Sequence, residues 1–114
     1  MATIKSYTSL EQSRKLAEIL PLESADMCWQ KIYDENHLLS DYRIELLPFR
    51  LYSGLGVPAW SFTALLDVLP SATLDSSSDH YYRLYCMTKY TEWYDNPVDA
   101  CIAMIEKLHE QNIM

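Results

Sequence analysis

Near the end of the chain, apolar residues recur at the spacing of one helical face. The apolar positions are Val98, Cys101, Ile102, Ile105 and Leu108, which match the i, i+3, i+4, i+7 pattern of an amphipathic helix. Asn96 is suited to cap this helix. Pro97 suits its first position, where a missing N–H leaves no hydrogen bond unmade. The pattern therefore predicts a helix that begins at Pro97 and packs on a sheet.

The same period predicts two earlier helices, over about Ser9–Leu20 and about Trp60–Leu69. Ser9 is the expected N-cap of the first helix, and Gln12 is placed to complete a capping box with it. Ser61 is the expected N-cap of the second. A proline follows each segment and is expected to end it, because proline cannot continue a helix without losing a hydrogen bond.

A period of two residues predicts strands elsewhere. Polar and apolar residues alternate over Asp41–Leu46, which is typical of a strand with one solvated face. The residues expected to face the core are Tyr42, Ile44 and Leu46. Met27–Tyr33 is a second predicted strand, entered either directly or through a short capped turn at residues 24–26. Residues 34–37 are predicted to form the turn between the two strands.

A third strand region is predicted further along the chain. Tyr81–Thr88 and Thr91–Tyr94 are rich in aromatic and β-branched residues, which favours a β-hairpin. The resulting order, α-ββ-α-ββ-α, predicts an α+β fold with an antiparallel sheet of about four strands and helices on one face. Residues 1–114 have the length of a single domain. Residues 71–79 are predicted to form a mobile surface loop.

Charge and hydropathy narrow the class of protein. The net charge is −7 at pH 7, and a surface of that sign repels phosphate backbones. No apolar run has the length of a membrane span, and no apolar segment of a secretion signal follows Met1. These features predict a cytoplasmic protein that binds neither nucleic acid nor membranes.

Motifs for cofactor or metal chemistry are not recognisable in the sequence. Cys28, Cys86 and Cys101 are widely spaced and match no zinc or redox motif, which predicts buried thiols in a reducing compartment. Gly54 and Gly56 match only part of a dinucleotide-binding motif, and the favoured interpretation is a turn with glycines at positive φ. We therefore predict no catalytic residue, no cofactor and no metal site.

Aromatic residues beside short polar ones mark a candidate interaction patch. Its members are Trp60, Trp93, Tyr94, Asp95 and Asn96. Large aromatics next to hydrogen-bonding groups are typical of recognition surfaces. A purely structural interpretation, which we favour, has Trp93 packing under the last helix while Asp95 and Asn96 shape the corner before it.

Four blocks of sequence resemble a known family. The blocks are Leu10-Glu11-Gln12-Ser13, Ser24-Ala25-Asp26-Met27, Pro58-Ala59-Trp60-Ser61 and Glu92-Trp93-Tyr94-Asp95-Asn96-Pro97-Val98-Asp99-Ala100. Together they resemble a family of short uncharacterised bacterial proteins that occur in prophages and other mobile elements of gut bacteria. The resemblance implies an accessory role in a mobile element and transfers no catalytic residue.

Three functional hypotheses remain open from the sequence. The leading one is a non-enzymatic module that binds another protein or binds itself as a homodimer. The second is a small ligand-binding protein or enzyme with a site near Asp95 or His80. The third is an acidic decoy that mimics DNA. The acids that would serve the decoy are Glu23, Asp26, Asp34, Glu35, Asp41 and Glu45.

Overall fold

Helices and antiparallel strands make up the fold in a computed structural model, which describes residues 6–33, 42–52, 54 and 56–113. Within these ranges there are three α-helices and six strands. The helices are α1 (Leu10–Leu16), α2 (Phe62–Val68) and α3 (Pro97–Glu110). The strands are β1 (Met27–Tyr33), β2 (Tyr42–Pro48), β3 (Val57–Ala59), β4 (Thr73–Ser76), β5 (Tyr82–Cys86) and β6 (Lys89–Tyr90). Two short 3-10 helices, Leu22–Ser24 and Phe49–Leu51, complete the set.

The α+β class and the antiparallel pairing are confirmed, and the predicted order α-ββ-α-ββ-α holds except that three strands, not two, stand between successive helices. The strands form two three-stranded sheets, ordered β2-β1-β3 and β4-β5-β6, where we expected one sheet of about four strands. The difference comes from the short edge strands β3 and β4. Strands of three and four residues are too short to carry a clear alternating pattern.

Contacts divide the chain into two compact units. Ser9–Trp60 form one unit, and the segments that precede and follow it in the chain form the other. We call them the N-terminal unit, which holds the β2-β1-β3 sheet, and the C-terminal unit, which holds the β4-β5-β6 sheet. The single domain over residues 1–114 stays a prediction.

The first helix begins as the sequence predicts and ends earlier. Gln12 N–H donates to Ser9 Oγ at 3.2 Å, and Ser9 N–H donates to Gln12 Oε1 at 3.0 Å, so the capping box is present. The α-helix ends at Leu16, and the next residues continue in tighter turns, with Ile19 N–H donating to Leu16 O at 2.9 Å. Turns of this kind satisfy the last carbonyls of a helix.

In β2 the predicted burial of Ile44 was wrong. The register pairs Cys28 with Leu47 and Lys31 with Ile44. Cys28 is fully buried, whereas Ile44 is 41% exposed. Because alternate residues of a strand point to opposite faces, Leu47 lies on the face of Cys28 and Ile44 on the other. Shifting the pairing of a strand by one residue exchanges its two faces. The alternating sequence pattern alone does not say which of the two faces other residues cover. The predicted turn at 34–37, His37 and Asp41 lie outside the described residues.

The core of the C-terminal unit forms where α3 packs on β5. Leu84 and Cys86 of β5 are fully buried, as are Cys101 and Ile105 of α3. Asn96 Oδ1 accepts a hydrogen bond from Val98 N–H at 2.8 Å. The predicted N-cap, the proline at the helix start and the apolar stripe of α3 are therefore confirmed.

The predicted hairpin is present with a different second strand. β5 and β6 are joined by Met87 and Thr88, which both have positive φ, 51° and 67°. A two-residue loop with two positive φ values is typical of a type I′ turn. The residues after β6, predicted as the second strand, bond to β5 at two separate points: Thr91 pairs with Leu84, and Tyr94 forms an isolated bridge with Tyr82. The segment 71–79, predicted to be a loop, contains β4, and its mobility stays a prediction.

Two glycines in the N-terminal unit have different structural roles. Gly54 has a φ of 89° with no atom within 4 Å of an added Cβ, as expected for a turn. Gly56 is required by a close approach, because a Cβ there would lie 2.6 Å from both Trp29 O and Gln30 Cγ. The residues after Gly56 form β3, which pairs antiparallel with β1. This arrangement differs from a dinucleotide-binding loop, which opens directly into a helix.

We predict that Gly56→Ala lowers the free energy of unfolding by about 1 to 3 kcal/mol, the range for overpacking against a backbone atom that cannot move aside. Urea denaturation measures the change. Gly54→Asn is the control, because asparagine tolerates positive φ and the surrounding space is open. An equal loss in the control would contradict the close-approach explanation.

We predict that Thr88→Gly raises the free energy of unfolding by about 0.5 to 1 kcal/mol. Glycine removes the cost of a β-branched residue at positive φ, which exceeds the entropy that glycine loses on folding. Thermal and urea denaturation test this. Thr73→Gly, in strand β4, should have the opposite sign, since glycine weakens a strand. A destabilised Thr88→Gly variant would show that the turn is unstrained.

Candidate functional site

The residues of the predicted interaction patch differ in their exposure. Trp60 is fully buried, and its indole N–H donates to Ser24 Oγ at 2.9 Å within the N-terminal unit. Asn96 is also buried, at 7% exposure, because it caps α3. The other three residues, Trp93, Tyr94 and Asp95, lie in the C-terminal unit. Among these, Trp93 has the most exposed large apolar surface, at 45%.

The interpretation that Trp93 packs under the last helix does not fit its 45% exposure, and its ring lies over an arginine of the sheet. The Arg83 guanidinium carbon is 4.6 Å from the centroid of the Trp93 ring. The same carbon is 4.3 Å from the centroid of the Tyr90 ring. A guanidinium held against two aromatic rings gains cation–π attraction from both. Arg83 thus joins Tyr90 and Trp93 into one cluster.

Two further contacts complete this cluster. Arg83 Nε lies 3.2 Å from Asp75 Oδ2 in a half-exposed ion pair. The Tyr85 and Tyr90 rings are in contact, with centroids 4.6 Å apart. Half-exposed pairs contribute little energy individually, but together they restrict the orientation of the guanidinium and of the Tyr90 ring.

Alternation along β5 explains why these side chains share a face. Leu84 and Cys86 are buried, so Arg83 and Tyr85 point to the opposite side of the sheet. Tyr81 precedes the strand in the same phase. We call the set Tyr81, Arg83, Tyr85, Tyr90 and Trp93 the aromatic face. It is the side of the β4-β5-β6 sheet away from the buried β5 residues.

A shallow depression opens at one end of the aromatic face. Its lining residues are Ser77, Asp79, Tyr81 and Trp93. Ser77 Oγ accepts hydrogen bonds from the N–H groups of Asp79, at 3.3 Å, and Tyr81, at 3.1 Å. These bonds hold the turn that carries both residues. The depression therefore places two aromatic rings, a carboxylate and a hydroxyl together.

A second groove lies beside α3 and is lined in part by Tyr94, the residue that follows Trp93. It is lined by Thr91, Glu92, Tyr94, Ala103, Glu106, Lys107 and Glu110. Lys107 Nζ donates to Tyr90 O at 3.1 Å. Trp93 and Tyr94 therefore line different depressions, as expected for adjacent residues of an extended segment.

Both residues named in the enzyme hypothesis are exposed, and only some of the acids named in the decoy hypothesis are described by the structure. Asp95 and His80 are both exposed, and His80 has a φ of 65°. In the described ranges no group of three or more His, Cys, Asp and Glu side chains could hold a metal ion. Of the acids proposed for a DNA mimic, Glu23 and Asp26 are exposed, and Asp34, Glu35 and Asp41 lie outside the described residues.

The three cysteines are free and buried, as predicted. Burial raises the pKa of all three thiols, and that of Cys101 to about 12. A thiol with a raised pKa stays protonated at neutral pH and is a poor nucleophile. Cys86 Sγ also donates to Pro70 O at 3.0 Å. These thiols act as small apolar groups of the core.

Sequence reasoning missed Arg83, Tyr90, Tyr81 and Asp79 as members of a site. A signal for Arg83 was available, since it is the charged residue in the alternating segment 82–86. Its pairing with Trp93 could not be inferred, because that contact depends on the hairpin register.

A comparison with protein-family models, curated proteins and solved structures finds no match to this chain. The family resemblance proposed from the sequence blocks therefore stays a prediction. Separately, none of the helices that the structure describes is long and apolar enough to cross a membrane.

We predict that Arg83→Gln lowers the free energy of unfolding by about 1 kcal/mol, because it removes cation–π contacts with two rings and the partner of Asp75. It should also increase the mobility of the Trp93 ring, measured by ¹⁵N relaxation of the indole N–H. Arg50→Gln, at an exposed arginine of the N-terminal unit, is the control and should change stability by less than about 0.5 kcal/mol. A Trp93 ring that stays equally ordered would contradict the role of Arg83.

Proposed function

We propose that this protein is a non-enzymatic interaction module that binds another protein through the aromatic face. The observation that carries this proposal is the stacking of Arg83 between Tyr90 and Trp93, two aromatics that remain 49% and 45% exposed. Tyrosine, tryptophan and arginine are the residues that dominate binding energy at protein interfaces.

Preorganisation supports the proposal. An exposed aromatic side chain loses rotational freedom when a partner covers it, and that loss reduces affinity. Arg83 already contacts both rings, and Tyr85 contacts Tyr90 from the other strand. The rings therefore lose less entropy on binding than isolated surface aromatics would. This order favours a role in binding for the exposed aromatic rings over the alternative that their exposure has no function.

Charge favours a different protein over a second copy as the partner. With a net charge of −7, two copies repel each other, and a neutral or basic protein does not. Self-association is the alternative that the sequence leaves open, and the test must distinguish it from binding to a different protein. The accessory role in a mobile element remains a proposal that rests on the sequence resemblance alone.

We predict that Trp93→Ala weakens partner binding by at least about 30-fold, as expected for a central aromatic hot spot. Partners are first captured from the source cell with the wild-type protein and with the variant. A protein retained only by the wild type is then purified, and its affinity is measured by isothermal titration calorimetry. Tyr90→Ala should weaken the same complex.

Leu22→Ala is the matched control. Leu22 is 46% exposed, close to the exposure of Trp93, and lies in the N-terminal unit. It should leave the affinity within about twofold, the effect of a surface change outside the interface. Hydrogen exchange on the wild-type complex gives a second measure, with protection expected in β5 and β6. A partner that binds Trp93→Ala normally would overturn the proposal, as would a homodimer that this variant dissociates in sedimentation experiments.

A further inference from the structure

We infer that the depression lined by Ser77, Asp79, Tyr81 and Trp93 receives a lysine or arginine side chain of the protein partner. The inference rests on the proposed function and specifies the chemistry of the partner. The depression combines the walls and the charge that a long cationic side chain requires. Tyr81 and Trp93 provide aromatic surface, and Asp79 provides a carboxylate.

The rings of Tyr81 and Trp93 can contact both the methylene groups and the charged end of such a side chain. Tyr81 and Trp93 are 47% and 45% exposed, so both rings offer surface to a ligand. Lysine and arginine carry methylene stems that pack on apolar surface while the head group remains solvated. The faces of aromatic rings also attract a cation directly. A small inorganic cation would use only the second of these interactions.

Asp79 supplies the charge that selects a cation. Asp79 is exposed, and its carboxylate makes no hydrogen bond or ion pair within the part of the chain that the structure describes. Asp79 N–H donates to Ser77 Oγ at 3.3 Å, so the backbone of the turn is held while the carboxylate stays available. An ammonium or guanidinium in the depression can therefore pair with it.

The structure already contains one example of this recognition. Arg83 lies 4.6 Å from the Trp93 centroid, which shows that the ring accepts a guanidinium neighbour. Asp75 is 3.2 Å from Arg83 and offsets its charge. The intramolecular cation is thus neutralised, and it does not repel a second cation at Asp79.

The negative charge near Trp93 also favours a basic partner. Glu92 and Asp95 are exposed and flank Trp93 in the sequence, and the whole chain carries a net charge of −7. A negative field raises the association rate of a basic partner and opposes an acidic one. We therefore assign the depression to basic side chains and not to phosphate or carboxylate groups.

The direct test uses three blocked pentapeptides that carry lysine, arginine or norleucine between glycines. Each is titrated into the ¹⁵N-labelled full chain, and the signals of the Trp93 indole, Tyr81 and Asp79 are followed by NMR. The lysine and arginine peptides should shift these signals with affinities at least about fivefold higher than the norleucine peptide, since norleucine keeps the stem and lacks the charge. Equal binding of all three would overturn the inference.

Two matched substitutions locate the charge. Asp79→Asn should weaken the lysine peptide by about fivefold to tenfold at low salt and remove most of the dependence on ionic strength. Asp67→Asn changes another exposed aspartate of the C-terminal unit and should have no effect at this site. An unchanged affinity in Asp79→Asn would overturn the inference, even if peptide signals shift.

The same variants separate this inference from the proposed function. If Asp79→Asn leaves the affinity for the natural partner unchanged while Trp93→Ala destroys it, the aromatic face is an interface and the basic-side-chain assignment is wrong. If Trp93→Ala leaves partner binding intact, the proposed function is wrong whatever the peptides do. Loss of partner binding in both variants, with Asp67→Asn normal, supports both.

Discussion

The arrangement of the C-terminal unit depends on a reciprocal hydrogen bond between Leu84 and Thr91. Leu84 N–H donates to Thr91 Oγ1 at 2.8 Å, and Thr91 N–H donates to Leu84 O at 2.9 Å. Both residues are buried, so breaking either bond would leave a polar group without water. The pair keeps the chain beside β5 after β6 has ended. Trp93 consequently lies over Arg83, because the main chain is fixed at Thr91 and again at Tyr94, which exchanges two backbone hydrogen bonds with Tyr82.

One strand thus serves the core and the candidate site together. Residues of β5 alternate between buried Leu84 and Cys86 on one side and Arg83 on the other. The buried side holds the strand against α3, whose start is fixed by the Asn96 cap. Because α3 and β5 are packed together, Arg83 has a stable base from which to contact the rings. Core stability is therefore a condition for the order of the aromatic face.

Local signals in the sequence predicted local structure well. The caps at Ser9 and Asn96 are present because each needs only residues within one turn of helix. The face of Ile44 and the burial of Trp60 were not predictable, since both depend on which partners cover a strand or a ring. The pairing of Arg83 with Trp93 was missed for a related reason. Its register is set by a turn that lacks the glycine or asparagine by which type I′ turns are recognised.

Exposed aromatic residues are a liability unless something limits indiscriminate association. In this protein the limit is electrostatic. Arg83 and Asp75 neutralise each other, and Asp79 then leaves one negative charge in excess among these three groups. Trp93 is thereby accessible to a partner that brings positive charge and less so to another acidic copy of the chain. The carboxylate beside the ring therefore contributes to specificity by opposing wrong partners as well as by attracting the right one.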